Sequence, residues 1–212
     1  MDSSLAEQQR ILASDWGGGR SPFGTSWSKF MMWVFIISDA LTFAAFLIAY
    51  GFMRSISPRW PEQTEVFSMV LITFMTFVLI SSSAVMAMAV GAARAANPKL
   101  AVLFLVLTIV GGAIFMGCQA YEWSHFIGEG ATLTNNPWDK AVPQFTSSFF
   151  VITGFHGFHV FSGVIINSIM VIMTQKDVFA KRGHYLMIEK AGLYWHFVDL
   201  VWVFVFLVFY LL

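Results

Sequence analysis

The stretch Phe145–Thr174 reads FTSSFFVITGFHGFHVFSGVIINSIMVIMT. It carries no Asp, Glu, Lys or Arg, and two histidines sit near its middle. About 20 apolar residues in helical form cross a hydrocarbon core. Backbone polar groups find no water there, so a helix is the expected form. Four further stretches repeat the pattern: Phe30–Met53, Val66–Ala93, Leu100–Tyr121 and Ala191–Leu212. The runs are continuous rather than short and alternating, which argues against a transmembrane barrel. The two longest, Val66–Ala93 and Phe145–Thr174, must tilt or enter the headgroup layer. The predicted architecture is all-α, a polytopic bundle of five transmembrane helices over residues 30–212.

Composition agrees. Of the 212 residues, 58% are apolar and 11% charged, and mean hydropathy is +0.71. Soluble domains carry about 25% charge. Twelve basic and twelve acidic side chains cancel, which leaves no electrostatic basis for binding nucleic acid. The single cysteine, Cys118, cannot form an internal disulfide.

Residues 1–29 hold both charges and no early apolar core, unlike a signal peptide. Ser4 and Glu7 have capping-box spacing, so Leu5–Ala13 can form a short surface helix that Gly17–Gly19 ends. A loosely ordered tail and a segment docked on a partner are both open. Nine Lys and Arg fall on one side of the bundle: Arg10, Arg20, Lys29, Arg94, Lys99, Lys176, Lys181, Arg182 and Lys190. Three, Arg54, Arg59 and Lys140, fall on the other. The bias predicts the N-terminus inside, residues 1–29 as a cytoplasmic segment, and the C-terminus outside.

Ionisable groups inside spans are costly and invite functional hypotheses. Asp39 lies nine residues into the first span, about 13 Å deep. His156 and His159 are spaced i, i+3, as are His196 and Asp199, so each pair can share a helix face. Three readings stay open from spacing alone. The groups can hydrogen-bond each other and tie helices together, form a proton or ion path, or ligate a metal or haem. Glu122 ends the third span and Glu189 opens the fifth, within reach of the interface. Ser83, Ala87 and Gly91 recur every four residues, and Gly154, Gly157 and Gly163 sit beside the histidines; both sets predict close helix packing. Trp27, Trp33, Trp60, Trp123 and Trp138 fall near span boundaries, as interfacial anchors do. Trp195 and Trp202 lie within a span and need another role.

Four segments resemble subunit III of the haem–copper respiratory oxidases. They are Trp33–Asp39 (WVFIISD), Gln119–Trp123 (QAYEW), Thr153–Val160 (TGFHGFHV), and Glu189 followed by Tyr194–Trp202 (YWHFVDLVW). The resemblance is to the short, five-helix form and implies a bacterial cytoplasmic membrane. It implies a non-redox subunit of a proton-pumping terminal oxidase, packed against subunit I in a complex with subunit II and further respiratory subunits. Haem and copper would sit in those partners, with no metal on this chain. Its helices would form a cleft holding phospholipid and support sustained turnover. Asp39 departs from the Glu general in cytochrome c oxidases and matches quinol oxidases, whereas the His156–His159 and Tyr194–Asp199 wording favours the cytochrome c branch. The expected site residues are Asp39, Glu122, His156, His159, Glu189, His196 and Asp199. A basic cluster, Lys176, Lys181, Arg182 and His184, is expected to bind lipid headgroups, with positive-inside insertion as the simpler alternative. Rivals of other classes are a haem-binding anchor using His156, His159 and His196, and a proton-coupled transporter with Asp39 as carrier.

Overall fold

A computed structural model describes residues 25–211. The expected surface helix at Leu5–Ala13, and Arg10 and Arg20, lie outside the described residues. Five helices are long and apolar enough to cross a membrane. Helix α1 spans Trp27–Ile56, and a short turn, α2, spans Gln63–Val66. Then come α3 (Met69–Arg94), α4 (Pro98–Gly128), α5 (Gln144–Gln175), the short α6 (Val178–Arg182) and α7 (Leu186–Val205). The last turn, Phe206–Leu211, widens into a π-helix.

Most of these helices outrun the apolar stretches, and two of them begin at a side-chain cap. Ser26 caps α1 by accepting from the Lys29 backbone N–H. Asn97 caps α4 in the same way, with Pro98 just inside. Glu189 and Lys190 are charged yet helical, so α7 starts well before Ala191. One boundary moves the other way: Val66 belongs to the separate turn α2, and the second span starts at Met69. Ala96, at φ 52°, reverses the chain tightly between α3 and α4.

Helix α7 packs against α5, α3 and α1, while α4 fills the space between α3 and α5. Its position is set by Trp195, whose indole lies between two glycines. A Cβ on Gly112 would come 2.6 Å from Trp195 Cη2, and one on Gly163 would come 2.8 Å from Cε3. The Trp195 Nε1–H donates to Ser82 Oγ on α3 at 3.1 Å. Two turns further on, Trp202 Nε1–H donates to Thr76 Oγ1 at 2.9 Å. Trp123 on α4 repeats the device, donating to Thr153 Oγ1 on α5 at 3.1 Å. In each case the hydroxyl's own proton goes to a carbonyl of its own helix, at Leu79, Ile72 or Phe149. Its lone pair is therefore left for the indole. Trp123 is thus an interhelical tie rather than the interfacial anchor its position suggested.

The small-residue expectations need correction. Close approach occurs at Gly111, Gly112, Gly163 and Gly192. Gly154 meets only the edge of Trp123, and Gly157 and Gly91 have open space where a Cβ would stand. Of the Ser83–Ala87–Gly91 row, Ser83 is buried, while Ala87 and Gly91 are exposed. At the end of the bundle away from the Lys/Arg-rich connections, aromatic rings close the core. Phe67, Phe126, Phe145, Phe149, Phe209 and Tyr210 contact one another there. The π-helical turn lets the consecutive Phe209 and Tyr210 both be fully buried.

The glycine slot makes a direct prediction. Gly163→Val drives a side chain into the Trp195 ring and should destabilise by about 1–3 kcal/mol. Gly157→Ala, six residues away on the same helix, should be neutral or slightly stabilising. Thermal denaturation of the purified protein in detergent checks both.

Candidate functional site

The polar groups at membrane depth separate into distinct sets. Asp39 on α1 meets His159 on α5, with Oδ2 to Nε2 at 3.1 Å. The distance is that of an ion pair, although the angle is not that of a hydrogen bond. His159 Nδ1 lies 2.7 Å from the Phe155 carbonyl oxygen. A carbonyl only accepts, so Nδ1 carries a proton. Phe43 and Phe155 close over the pair. Tyr194 on α7 adds a third helix: its hydroxyl bonds Ser162 Oγ at 2.7 Å and donates to the His159 carbonyl at 3.3 Å.

His196 on α7 pairs with α3 instead, with Nδ1 2.7 Å from Ser83 Oγ. Asp199, three residues further along α7, has a buried Oδ1 with no hydrogen-bond partner among the described residues. The two stand one helical turn apart on α7, at i, i+3. His156 and His159 both pack against Phe43 but differ in their remaining neighbours. The offset of about 60° between them turns His159 toward Asp39 and Phe155 and His156 toward Phe115 and Trp202. His156 is fully buried against Phe115, Trp202 and Phe43, and neither ring nitrogen has a partner among the described residues.

The two glutamates also differ from each other. Glu122 does not reach the interface. Helix α4 continues to Gly128, and the π-helical end of α7 covers the carboxylate. Tyr210 Oη donates to Glu122 Oε2 at 3.3 Å, and Gln119 Nε2 at 3.4 Å. Glu189 does lie near a helix end, where it gathers Lys29 Nζ at 3.0 Å and Arg94 Nε at 2.8 Å. That triad clamps α7, α1 and α3 together at the basic end. Sequence reading missed it because its members are far apart in the chain. The Trp195–Ser82 and Trp202–Thr76 ties were missed too. The i, i+7 spacing of the two tryptophans, on one face of α7, was the available signal.

The basic cluster lies on the α5–α7 connection. Lys176, Lys181 and Arg182 are exposed and His184 is half-buried. Asp177 and Gly183, at φ 54° and 74°, bound the short α6 that carries Lys181 and Arg182. Phe179 anchors it in the core. Among the described residues, no three His, Cys, Asp or Glu side chains converge as metal ligands do.

A sequence model of the family described as cytochrome c oxidase subunit III matches residues 11–212. The chain belongs to the cytochrome c oxidase subunit III family. Among its relatives is the quinol oxidase subunit 3 of Bacillus subtilis, 30% identical over 85% of this chain and 84% of that protein. The cytochrome c oxidase subunit 3 of Synechocystis sp. is 35% identical over 84% of this chain and 73% of that protein. A probable quinol oxidase subunit 3 of Staphylococcus aureus is 30% identical over 87% and 89%. The resemblance drawn from four motifs therefore holds over nearly the whole chain. This subunit III family member is a multi-pass membrane protein and part of an oxidase complex. All four motif segments lie on membrane helices, and each supplies a cross-helix contact: Asp39, Trp123, His159 and Glu189.

The Asp39–His159 pair yields the second prediction. Asp39→Asn and His159→Gln should each destabilise the protein. The double variant should lose less than the sum, with a coupling of at least ~1 kcal/mol for two groups in one buried contact. Unfolding of the four proteins of the cycle in detergent checks it.

Proposed function

We propose that this chain is the non-redox subunit III of a bacterial proton-pumping terminal oxidase, which reduces oxygen to water with cytochrome c as electron donor. It packs against subunit I in a complex with subunit II, stabilises subunit I and holds structural phospholipid. The haem and copper belong to those partners. The observation that carries the reading is the family match over residues 11–212. The histidine geometry supports it: His159 is engaged with Asp39, His196 with Ser83, and His156 is enclosed by aromatic rings. An isolated chain acting as a haem anchor would show haem absorption, and a transporter would move protons in liposomes without partners.

Cytochrome c is favoured by the His156–His159 and Tyr194–Asp199 wording. Quinol is the alternative, supported by Asp39 and by the names of the Bacillus and Staphylococcus relatives. The purified complex should oxidise ferrocytochrome c faster than a quinol; the reverse order would select the alternative. The membrane is the bacterial cytoplasmic membrane, with the basic end inside, as Lys29, Arg94, Lys176, Lys181, Arg182 and Lys190 favour.

Lipid holding is supported by a trough of about 310 Å³ between α1, α5 and α7, lined by Met31, Phe35, Ile166, Met170, Met187 and Lys190. Its walls suit an acyl chain, and Lys190 stands at the end where headgroups lie. Arg182 reaches Met187 Sδ at 3.1 Å, which brings the α6 cations beside the same trough. Each such cation near an anionic surface contributes about 1 kcal/mol. Neutralising Lys181 and Arg182 together (K181Q/R182Q) should lower the lipids retained in native mass spectrometry and speed activity loss during turnover. Normal insertion with lipid count and decay unchanged would assign the cluster to topology alone.

A further inference from the structure

A hollow of about 190 Å³ opens at the basic end of the bundle, between α1, α3 and α7. Lys29, Arg94 and Glu189 form its rim, and Val90, Gly192 and Leu193 line its wall. The end of the bundle around it is strongly positive. Among the described residues, seven Lys and Arg side chains stand there against two acids, Asp177 and Glu189.

The segment that leads into α1 arrives at this same end. Its sequence, residues 1–24, is amphipathic. In helical form from Ser4 to Trp16, Leu5, Leu12 and Trp16 recur at i, i+7 and i+11 and share one face. Asp15 borders that stripe, while Glu7 and Arg10 lie opposite it. Gly17, Gly18 and Gly19 let the chain turn back. The eight residues 17–24 then span up to about 26 Å. The rim of the hollow is well within that reach. Lys29 stands in the first turn of α1, and it shares the Glu189 carboxylate with Arg94 of α3, at 3.0 and 2.8 Å.

Charge decides between the bundle and the lipid surface as the place for this stripe. A helix that lies on an anionic leaflet carries Lys and Arg on its polar face. This segment carries Glu7 and Asp15 with Arg10 between them. Anionic headgroups therefore hold it weakly, whereas the basic end of the bundle complements it. The chemistry of the hollow fits as well. Trp combines a large apolar face with one polar N–H, which suits an apolar wall under a charged rim. Asp15, adjacent in sequence, supplies a carboxylate at the level of the rim cations.

We propose that the N-terminal segment folds back over the basic end of the bundle, with Trp16 seated in this hollow and Asp15 on its Lys29–Arg94 rim. The segment then straps α1, α3 and α7 together and covers the Glu189 cluster from water. The inference is independent of the subunit III reading and concerns contacts within this chain alone.

The test places a photoreactive benzoylphenylalanine at Trp16, in the full chain in native membranes. The same probe at Arg10, on the opposite face, is the control. Irradiation should join position 16 to peptides of the same chain that contain Val90 or Leu193, and position 10 to neither. Adducts from position 16 to lipid, to another subunit or to a second copy would overturn the docking, as would the absence of any adduct within the chain. A second measurement reads the cover itself. In a Cys118→Ser background, Leu193→Cys reports access to the hollow through its rate of reaction with a charged, water-soluble maleimide, and Val90→Cys serves as a second reporter. Leu12→Ser and Trp16→Ser together should raise that rate about three- to tenfold. An unchanged rate at both reporters would overturn the cover.

Discussion

The Trp195 indole in its glycine slot is the contact on which the bundle's polar chemistry depends. The ring fits because Gly112 and Gly163 offer no side chain, and its N–H is satisfied because Ser82 has already given its own proton to Leu79. A single side chain thereby ties α7 to α3, α4 and α5. With α7 placed, the remaining contacts to α3 fall in antiparallel register. Trp202 meets Thr76, His196 meets Ser83, Gly192 meets Val90 and Glu189 meets Arg94. A shift of one residue along α7 would break them together. In hydrocarbon such a shift has no compensating water bonds, so the register is held more strictly than hydrophobic packing alone would hold it.

This arrangement divides the ionisable groups by destination. Asp39, His159 and Glu122 point into the bundle and are answered by other helices. Glu189 sits at the basic end and gathers two cations. His196 is answered on one side, by Ser83, and the buried Oδ1 of Asp199 has no partner among the described residues. A chain with a half-satisfied polar face at membrane depth is built for assembly rather than for life alone in lipid. That agrees with membership of a family whose relatives are named as subunits of oxidases.

The spans were legible because charge is so sparse in them, and Phe145–Thr174, with no Asp, Glu, Lys or Arg, was alone enough to indicate membrane helix. The motif residues were legible as a set through family resemblance, yet their pairing was not. Asp39 and His159 are 120 positions apart in the sequence, and nothing local says that they meet. Spacing put His156 and His159 near one another, and both pack on Phe43, but it did not show that only His159 meets a carboxylate. Glu122 looked interfacial because the apolar run ends beside it. Only the helix continuing to Gly128 and the π turn bearing Tyr210 bury it. Of the small-residue row, Ser83 meets His196 within this chain, whereas Ala87 is exposed and Gly91 has open space at its Cβ position.

The central claim is that indole N–H groups at membrane depth are hydrogen-bonded across helices. Proton–nitrogen correlation spectra of the protein with labelled tryptophan, in lipid nanodiscs, test it directly, with single Trp→Phe variants for assignment. The account predicts that the indole protons of Trp195, Trp202 and Trp123 resonate downfield of that of Trp33, which is 48% exposed on the outer surface of α1. It also predicts that Ser82→Ala moves the Trp195 signal alone upfield. Signals for Trp195 and Trp202 at the position of Trp33, unmoved by Ser82→Ala and Thr76→Val, would contradict it.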